Sequence, residues 1–442
     1  MIRRRRSPAP ARTRGRTLAS LAALGMMSAT VLFAAACSSS SSPDVELWNP
    51  FTDREAAAFD QLVTDFRASH PSITVVVKSG QDDSTMTQAI GAGKGPDVAL
   101  SYSTDIVGKF CDSGAWIDLQ TYISRDGVDV NKFPASVREY TQFRNKRCAM
   151  PALADVYGLY YNKQMFTDAG ITGPPKTLAE LTDAAKKLTK RDPDGTIKVA
   201  GFLPEFGFYE NTPAHLAPMV GARWLSADGR SSVVGSDPAW QELLRWQKEL
   251  VDWYGYDNLE KFRASFGDEY SDANAFEKGQ VAINVDAEFR LAFIADEAKD
   301  LTFGVAPLPT NDPARYGSGY ITGNVIGISK NAKNPDAAWE LVKYLTTATP
   351  TIVKFANSFK NIPTTTDALS SADLKVEPEF KTFIDIFNNP KSSTTPPSTT
   401  GNAYQEKFQE FLVSWQSGKI KDLGAGLKDV DDQINATLRL GA

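Results

Sequence analysis

Short apolar runs alternate with helix-period stretches along most of this chain, and the alternation is cleanest between Val45 and Leu100. Val45-Glu46-Leu47-Trp48 reads as a strand broken at Asn49-Pro50. Ala57, Leu62, Val63 and Phe66 then share one side of a helix over 53–68, which His70-Pro71 ends. Ile73 to Val77 is a β-branched run of the kind buried in a parallel sheet, and after a Gly-rich link at 91–95 the run Asp97 to Leu100 gives a third strand. Strands and helices in this order predict a doubly wound α/β domain.

Beyond it, Val156 to Tyr161 predicts a strand, and Met165, Phe166 and Ala169 a helical turn stopped at Gly170. Pro174-Pro175 forces an extended link, after which Thr177 can cap a helix with Glu180 in the reciprocal position, ahead of Leu181, Ala184, Ala185 and Leu188. Helices are predicted over 212–221 and 238–253; in the second, Leu243, Trp246 and Leu250 keep the helical spacing and are expected in the core. Strands follow at Val281 to Val285 and Val325 to Ile328, a helix at Ala337 to Leu345, and closing helices at 402–416 and 425–440. The Ser/Thr/Pro-rich segment 391–401 has no periodicity and reads as a loop.

The first 36 residues carry a different pattern. Residues 1–16 hold seven arginines and no acid, and an apolar run from Leu18 to Ala36 ends at Cys37, which is the order of a signal peptide. Cys37 is expected to carry a lipid, with the serines of 37–44 as tether; plain cleavage near Cys37 or a retained membrane helix are the alternatives. The whole chain has 48 basic and 53 acidic residues, and removing the leader leaves 41 against 53, a net charge of −12. Such a domain has no electrostatic reason to hold nucleic acid or an anionic bilayer. Cys111 and Cys148 remain, an even number in an exported chain, so a disulfide is expected, two buried free thiols being the alternative. A mature chain of about 400 residues exceeds what one core serves, so two domains are expected.

Several of these stretches carry a family resemblance. Tyr161-Asn162-Lys163, Phe166, Ala169-Gly170, Pro174-Pro175 and Glu180-Leu181 resemble a signature of the extracellular solute-binding proteins of ABC importers, the sugar-binding kind, with Leu178 where that family usually has Trp. Gly93 to Val98, Ala115 to Leu119, Leu301 to Pro309 and Ile321 to Leu345 continue it. Phe276, Gly279, Val281 and Ala282 match a further motif, in which Ile283 replaces Met and Glu288 stands near the usual Trp. The resemblance implies a two-lobed α/β periplasmic-binding-protein fold of type II. One lobe would comprise 45–155 and 308–355, the other 156–307 and 356–442. It also implies a monomeric lipoprotein on the outer face of a bacterial membrane that delivers a neutral mono- or oligosaccharide to ABC permease subunits, without turnover and without a cofactor.

The residues leave room for other chemistry but point to none in particular. His70 and His215 are the two histidines, and neither a Walker loop nor a His-Glu-x-x-His nor a Gly-x-Ser-x-Gly is present. Metal capture is therefore not expected. Acid pairs of the kind glycosidases use cannot be sorted by spacing, so an exported glycan-degrading enzyme stays open, as does a surface adhesion protein.

Sugar recognition calls for aromatic faces beside planar hydrogen-bonding groups. From the ends of the first strands the candidates are Trp48, Asn49, Gln81, Asp82 and Tyr102. Trp48 has a core or rim reading, and Asp82 that of a solvated turn. From the second lobe come the loop Phe208, Tyr209, Glu210 and Asn211, then Trp224, Asp286 and Glu288; the last two would lie roughly 7 Å apart on one strand face. Glu288 has a second reading as an acid near the start of a helix. Tyr316, Tyr320 and Asn324 in a Gly-rich loop, and Lys360 and Asn361 near the hinge, complete the set.

Overall fold

The computed structural model describes residues 44–440, and within them ten strands join one mixed sheet. The leader, Cys37 and the serines after it lie outside the described residues. In chain order the strands are β1 (Val45–Trp48), β2 (Val75–Lys78), β3 (Val98–Ser101), β4 (Met150–Asn162), β5 (Lys190–Arg191), β6 (Ile197–Phe202), β7 (Val281–Ala287), β8 (Phe303–Ala306), β9 (Ile321–Ile328) and β10 (Ile362–Pro363). Their order across the sheet is β2-β1-β3-β9-β4-β7-β6-β5, with β8 and β10 also pairing β4. β1 runs parallel to β2 and β3, as the first apolar runs predict, and the helix between β1 and β2 spans Asp53–Ser69.

β4 is the member that both lobes share. Its first half pairs antiparallel with β9, from Met150 opposite Ile326 to Val156 opposite Ile321. From Tyr157 on it pairs with β7 and β8 instead. Burial on both faces explains its unbroken apolar run, and also why a strand expected over 156–161 begins at Met150. One apolar core gathers Phe59, Phe66, Trp116, Trp339 and Phe355 on the first-lobe side, and another gathers Leu181, Trp240, Leu244, Phe408 and Leu412 on the second.

The expected lobe boundary at 355 falls inside the helix Thr349–Phe359, which packs on the helix Asp53–Ser69. β10 then pairs with Leu153 and Ala154, so the return to the first lobe runs past Pro363. Helix Pro238–Tyr254 buries Trp240, Leu243, Leu244, Gln247, Leu250 and Val251, which leaves Trp246 half-buried, its indole N–H donating to Thr182 Oγ1 at 2.9 Å. The apolar stripe is thus centred one position away from Trp246. Thr177 caps the helix Leu178–Leu188 through the Glu180 N–H, while the Glu180 carboxylate accepts the N–H of Lys176, one residue before the expected partner.

Cys111 and Cys148 form a disulfide with Cα atoms 5.4 Å apart, tying the helix Ile106–Asp112 to the approach of β4. The segment 391–401 is irregular, as expected, yet it lies against the first lobe. Ser393 accepts the Ile321 N–H at 2.8 Å, and Ser398 lies so close to Gly108 that a Cβ there would sit 2.3 Å from its carbonyl oxygen. Glycine at 108 is what permits that approach.

Candidate functional site

A cavity of about 340 Å³ opens between the lobes. Tyr102, Ser103 and Asp105, just past the end of β3, form its first wall together with Thr322 of β9. These lie where the connections leave the carboxyl end of a strand, the usual ligand side of an open α/β sheet. Tyr157 and Tyr320 sit at the point where β4 changes partners. The opposite wall is Thr212 to His215, Trp224, and the polar face Gln405, Glu406 and Gln409 of the helix Ala403–Gln416.

The aromatic groups are held tightly. His215 stacks on Tyr157 with ring centroids 3.7 Å apart and lies 5.0 Å from Tyr320. Its Nδ1 is 2.7 Å from the Glu210 carbonyl oxygen; a carbonyl can only accept, so Nδ1 carries the proton and Nε2 is left as an acceptor. Burial pushes the His215 pKa down to about 4, which keeps the ring neutral at physiological pH. The Tyr320 hydroxyl is 2.8 Å from Thr395 Oγ1, and Thr395 and Gln405 both donate to Asp105 Oδ1, at 3.2 and 2.9 Å. Burial raises the Asp105 pKa against these neutral donors. Tyr102 is 46% exposed at the rim, its ring edge-on to Phe51. Trp224 is only 4% exposed and packs against Trp240, Tyr404 and Phe408, so one edge serves the cavity while most of the indole is core.

Of the candidates drawn from the sequence, Tyr102, Trp224 and Tyr320 line this cavity. The others lie elsewhere, and each placement has a physical cause. Trp48 is nearly buried, its N–H donating to Glu46 at 2.6 Å with Lys78 over the ring. Asn49 is fully buried and accepts the Phe51 N–H, shaping the turn after β1. Gln81 donates to the Ser79 carbonyl, and Asp82 caps the helix Asp83–Gly91 by accepting the Thr85 N–H at 2.7 Å.

Phe208 is buried and stacks on Tyr209, whose hydroxyl reaches the Gly267 carbonyl. Glu210 stands behind His215, and Asn211 donates to the Leu203 carbonyl. Asp286 and Glu288 are both fully buried, the first held by Arg290 and the second by the Val156 N–H. Tyr316 lies under Lys176, Asn324 is buried within β9, and Lys360 pairs with Glu377. Asn361 donates to both Asp155 and Glu288.

Sequence reasoning missed Asp105, Tyr157, Thr212 and His215 and the face Gln405, Glu406 and Gln409. Spacing of i, i+1 and i+4 on an otherwise apolar helix was the available signal for the last three, but every surface helix shows it.

With this geometry in hand, the model of the family described as bacterial extracellular solute-binding protein matches residues 52–351. The chain belongs to that family. A maltotriose-binding protein of Pyrococcus abyssi is 26% identical over 338 residues, covering 76% of this chain and 69% of that one. A probable ABC transporter-binding protein of Deinococcus radiodurans is 27% identical over 357 residues, 78% of this chain and 81% of the relative. Among solved structures, CpMnBP1 with mannotriose bound superposes with a TM-score of 0.79 at 26% identity, covering 88% of this chain and 99% of its own. As a solute-binding protein of this fold, the chain places its cavity between the two lobes, at the strand they share.

Proposed function

We propose that the protein is the substrate-binding component of an ABC sugar importer, closing its lobes over a mono- or oligosaccharide without chemical turnover. The observation that carries this reading is the interlobe cavity, walled by Tyr102, Tyr157, Trp224 and Tyr320 and lined with hydroxyl, amide and carboxylate acceptors but, among the described residues, neither lysine nor arginine. Aromatic faces suit the C–H faces of a sugar ring, and the acceptors suit its hydroxyls. A phosphate or carboxylate ligand would find no cation there. The relatives named for maltotriose and mannotriose support an oligosaccharide. In this reading the protein is a monomer fixed by a lipid on Cys37 to the outer face of the membrane, and it hands the sugar to permease subunits.

Titration calorimetry and thermal melting against malto- and manno-oligosaccharides test the function. Saturable binding with a rising melting temperature is expected, since a ligand that binds only the folded state stabilises it. Cleaved products on chromatography, or no response to any saccharide, would overturn it. The anchor is tested by the Cys37→Ser variant, which should move from the membrane fraction to the medium.

A further inference from the structure

The cavity's charge is one-sided. Asp105 and Glu406 put carboxylates into its lining, and among the described residues no lysine or arginine lines it. Two more acids stand behind the first wall. Glu55 accepts the Tyr102 hydroxyl at 3.4 Å, and Asp83 takes Ser101 Oγ on Oδ2 while its Oδ1 is buried without a donor. Behind the second wall Glu210 lies 3.2 Å from His215 Nδ1. Two cations of the region are engaged elsewhere. Arg290 is held by Asp286, Glu277 and Glu269, and Arg54 reaches Ser358 and Asp296.

Asp105 is the acid best placed to act on a ligand. Its hydrogen-bond donors, Thr395 and Gln405, are both neutral and both converge on Oδ1. Lobe closure over an uncharged sugar would strip water from this carboxylate and supply no counter-charge, which is costly. A ligand ammonium would supply it. The same cation would be drawn to the rings of Tyr157 and Tyr320 that line the space.

We propose that the cleft takes a saccharide bearing a protonated amine, an amino sugar or an amine-bearing oligosaccharide, with the ammonium set against Asp105, in preference to the uncharged saccharide of the same skeleton. This rests on the saccharide-binding reading above and names the class of sugar within it.

Calorimetry at neutral pH on matched pairs tests it: glucosamine against glucose, mannosamine against mannose, galactosamine against galactose, and the chitosan disaccharide against cellobiose and diacetylchitobiose. In at least one pair the amine should bind at least about tenfold tighter than its uncharged partner, the scale of one desolvated cation contact. Asp105→Asn should shrink that ratio to about twofold or less. Glu406→Gln, on the exposed side of the opposite wall, should shrink it partly and remains informative if the Asp105→Asn variant does not fold. Equal or tighter binding of the uncharged partners overturns the amine preference and leaves the saccharide reading standing. No binding by any member of the panel overturns the amine preference, failure of the malto- and manno-oligosaccharides as well overturns the saccharide reading, and an amine preference that survives both substitutions overturns the role given to these acids.

Discussion

Asp286 and Glu288 stand two residues apart at the end of β7, both with no exposed surface, and they are accommodated in opposite ways. Asp286 lies 2.7 Å from Arg290 Nε, and the same guanidinium reaches Glu277 and Glu269 at 3.3 and 3.4 Å. Glu288 has no cation partner among the described residues. It accepts the Val156 N–H at 2.7 Å and Asn361 Nδ2 at 3.1 Å, and Asn361 donates also to Asp155. Burial raises both acids. It pushes Asp286 up to about 6 even beside Arg290, and it lifts Glu288 well above the carboxylate range, helped by the charge of Asp155. Asp155 is itself pushed up to about 7, by burial first. One buried acid is therefore carried by a counter-ion and the other by a proton that burial and the charge of Asp155 make it keep. This second pair sits where β4 passes from one lobe's pairing to the other's.

The largest effect should come from removing the counter-ion. Arg290→Met leaves Asp286, Glu277 and Glu269 without their cation and should cost about 3–5 kcal/mol in urea unfolding, the usual penalty for stranding buried charge. A loss below about 1 kcal/mol would mean that these acids, too, are carried by protons.

The retained proton should show itself through pH. Unfolded acids titrate near 4, whereas native Asp155 holds its proton up to about 7. The stability it contributes is therefore full below about pH 4 and is lost as pH rises through 7. Asp155→Asn removes the like charge but keeps an acceptor for Asn361. It should be more stable than the parent at pH 8 by about 1–3 kcal/mol, with the gap closing toward pH 5. Melting curves across that range decide it, and a pH-independent difference would refute the retained proton.

The smallest effect on stability sharpens the contrast with the cavity. Tyr102→Ala removes a half-exposed rim ring and should shift unfolding by no more than about 1 kcal/mol while weakening sugar binding by about 1–2 kcal/mol in calorimetry. Trp224→Ala should instead do both, losing binding and about 3 kcal/mol of stability, since most of its indole is packed against Trp240 and Phe408.

Much of the fold was legible because local signals persisted into the folded chain. The break at Asn49-Pro50, the cap at Thr177 and the stripe of Leu243 and Leu250 all describe contacts made within a few residues, and each element formed close to its expected bounds. Trp246 shows the limit of that reading. A tryptophan at nearly the right phase fell just off the stripe, because the helix presents Gln247 to the second-lobe core and Trp246 to the neighbouring helix.

The site was less legible, for a reason that Asp286 illustrates. A carboxylate two residues from another at a strand end looks the same in sequence whether it faces a ligand or an arginine, and only the arrival of Arg290 from the next helix assigns it. The disulfide lay between these cases. Two cysteines in an exported chain indicated the partner, while tertiary structure had to bring their Cα atoms to 5.4 Å.

The sequence by itself determined the alternation of strand and helix, the two-lobed α/β class and the family, because these rest on periodicity and motif order carried in the chain. Tertiary structure alone decided which polar groups meet across the lobes. His215 reached the cavity because Tyr157 and the Glu210 carbonyl hold its ring there, Asp105 because Thr395 arrives from a segment 290 residues later, and Asn361 was drawn away to bridge two buried acids. Burial removes water as a partner, so each polar group must find another within about 3 Å, and that requirement links residues whose separation along the chain carries no signal.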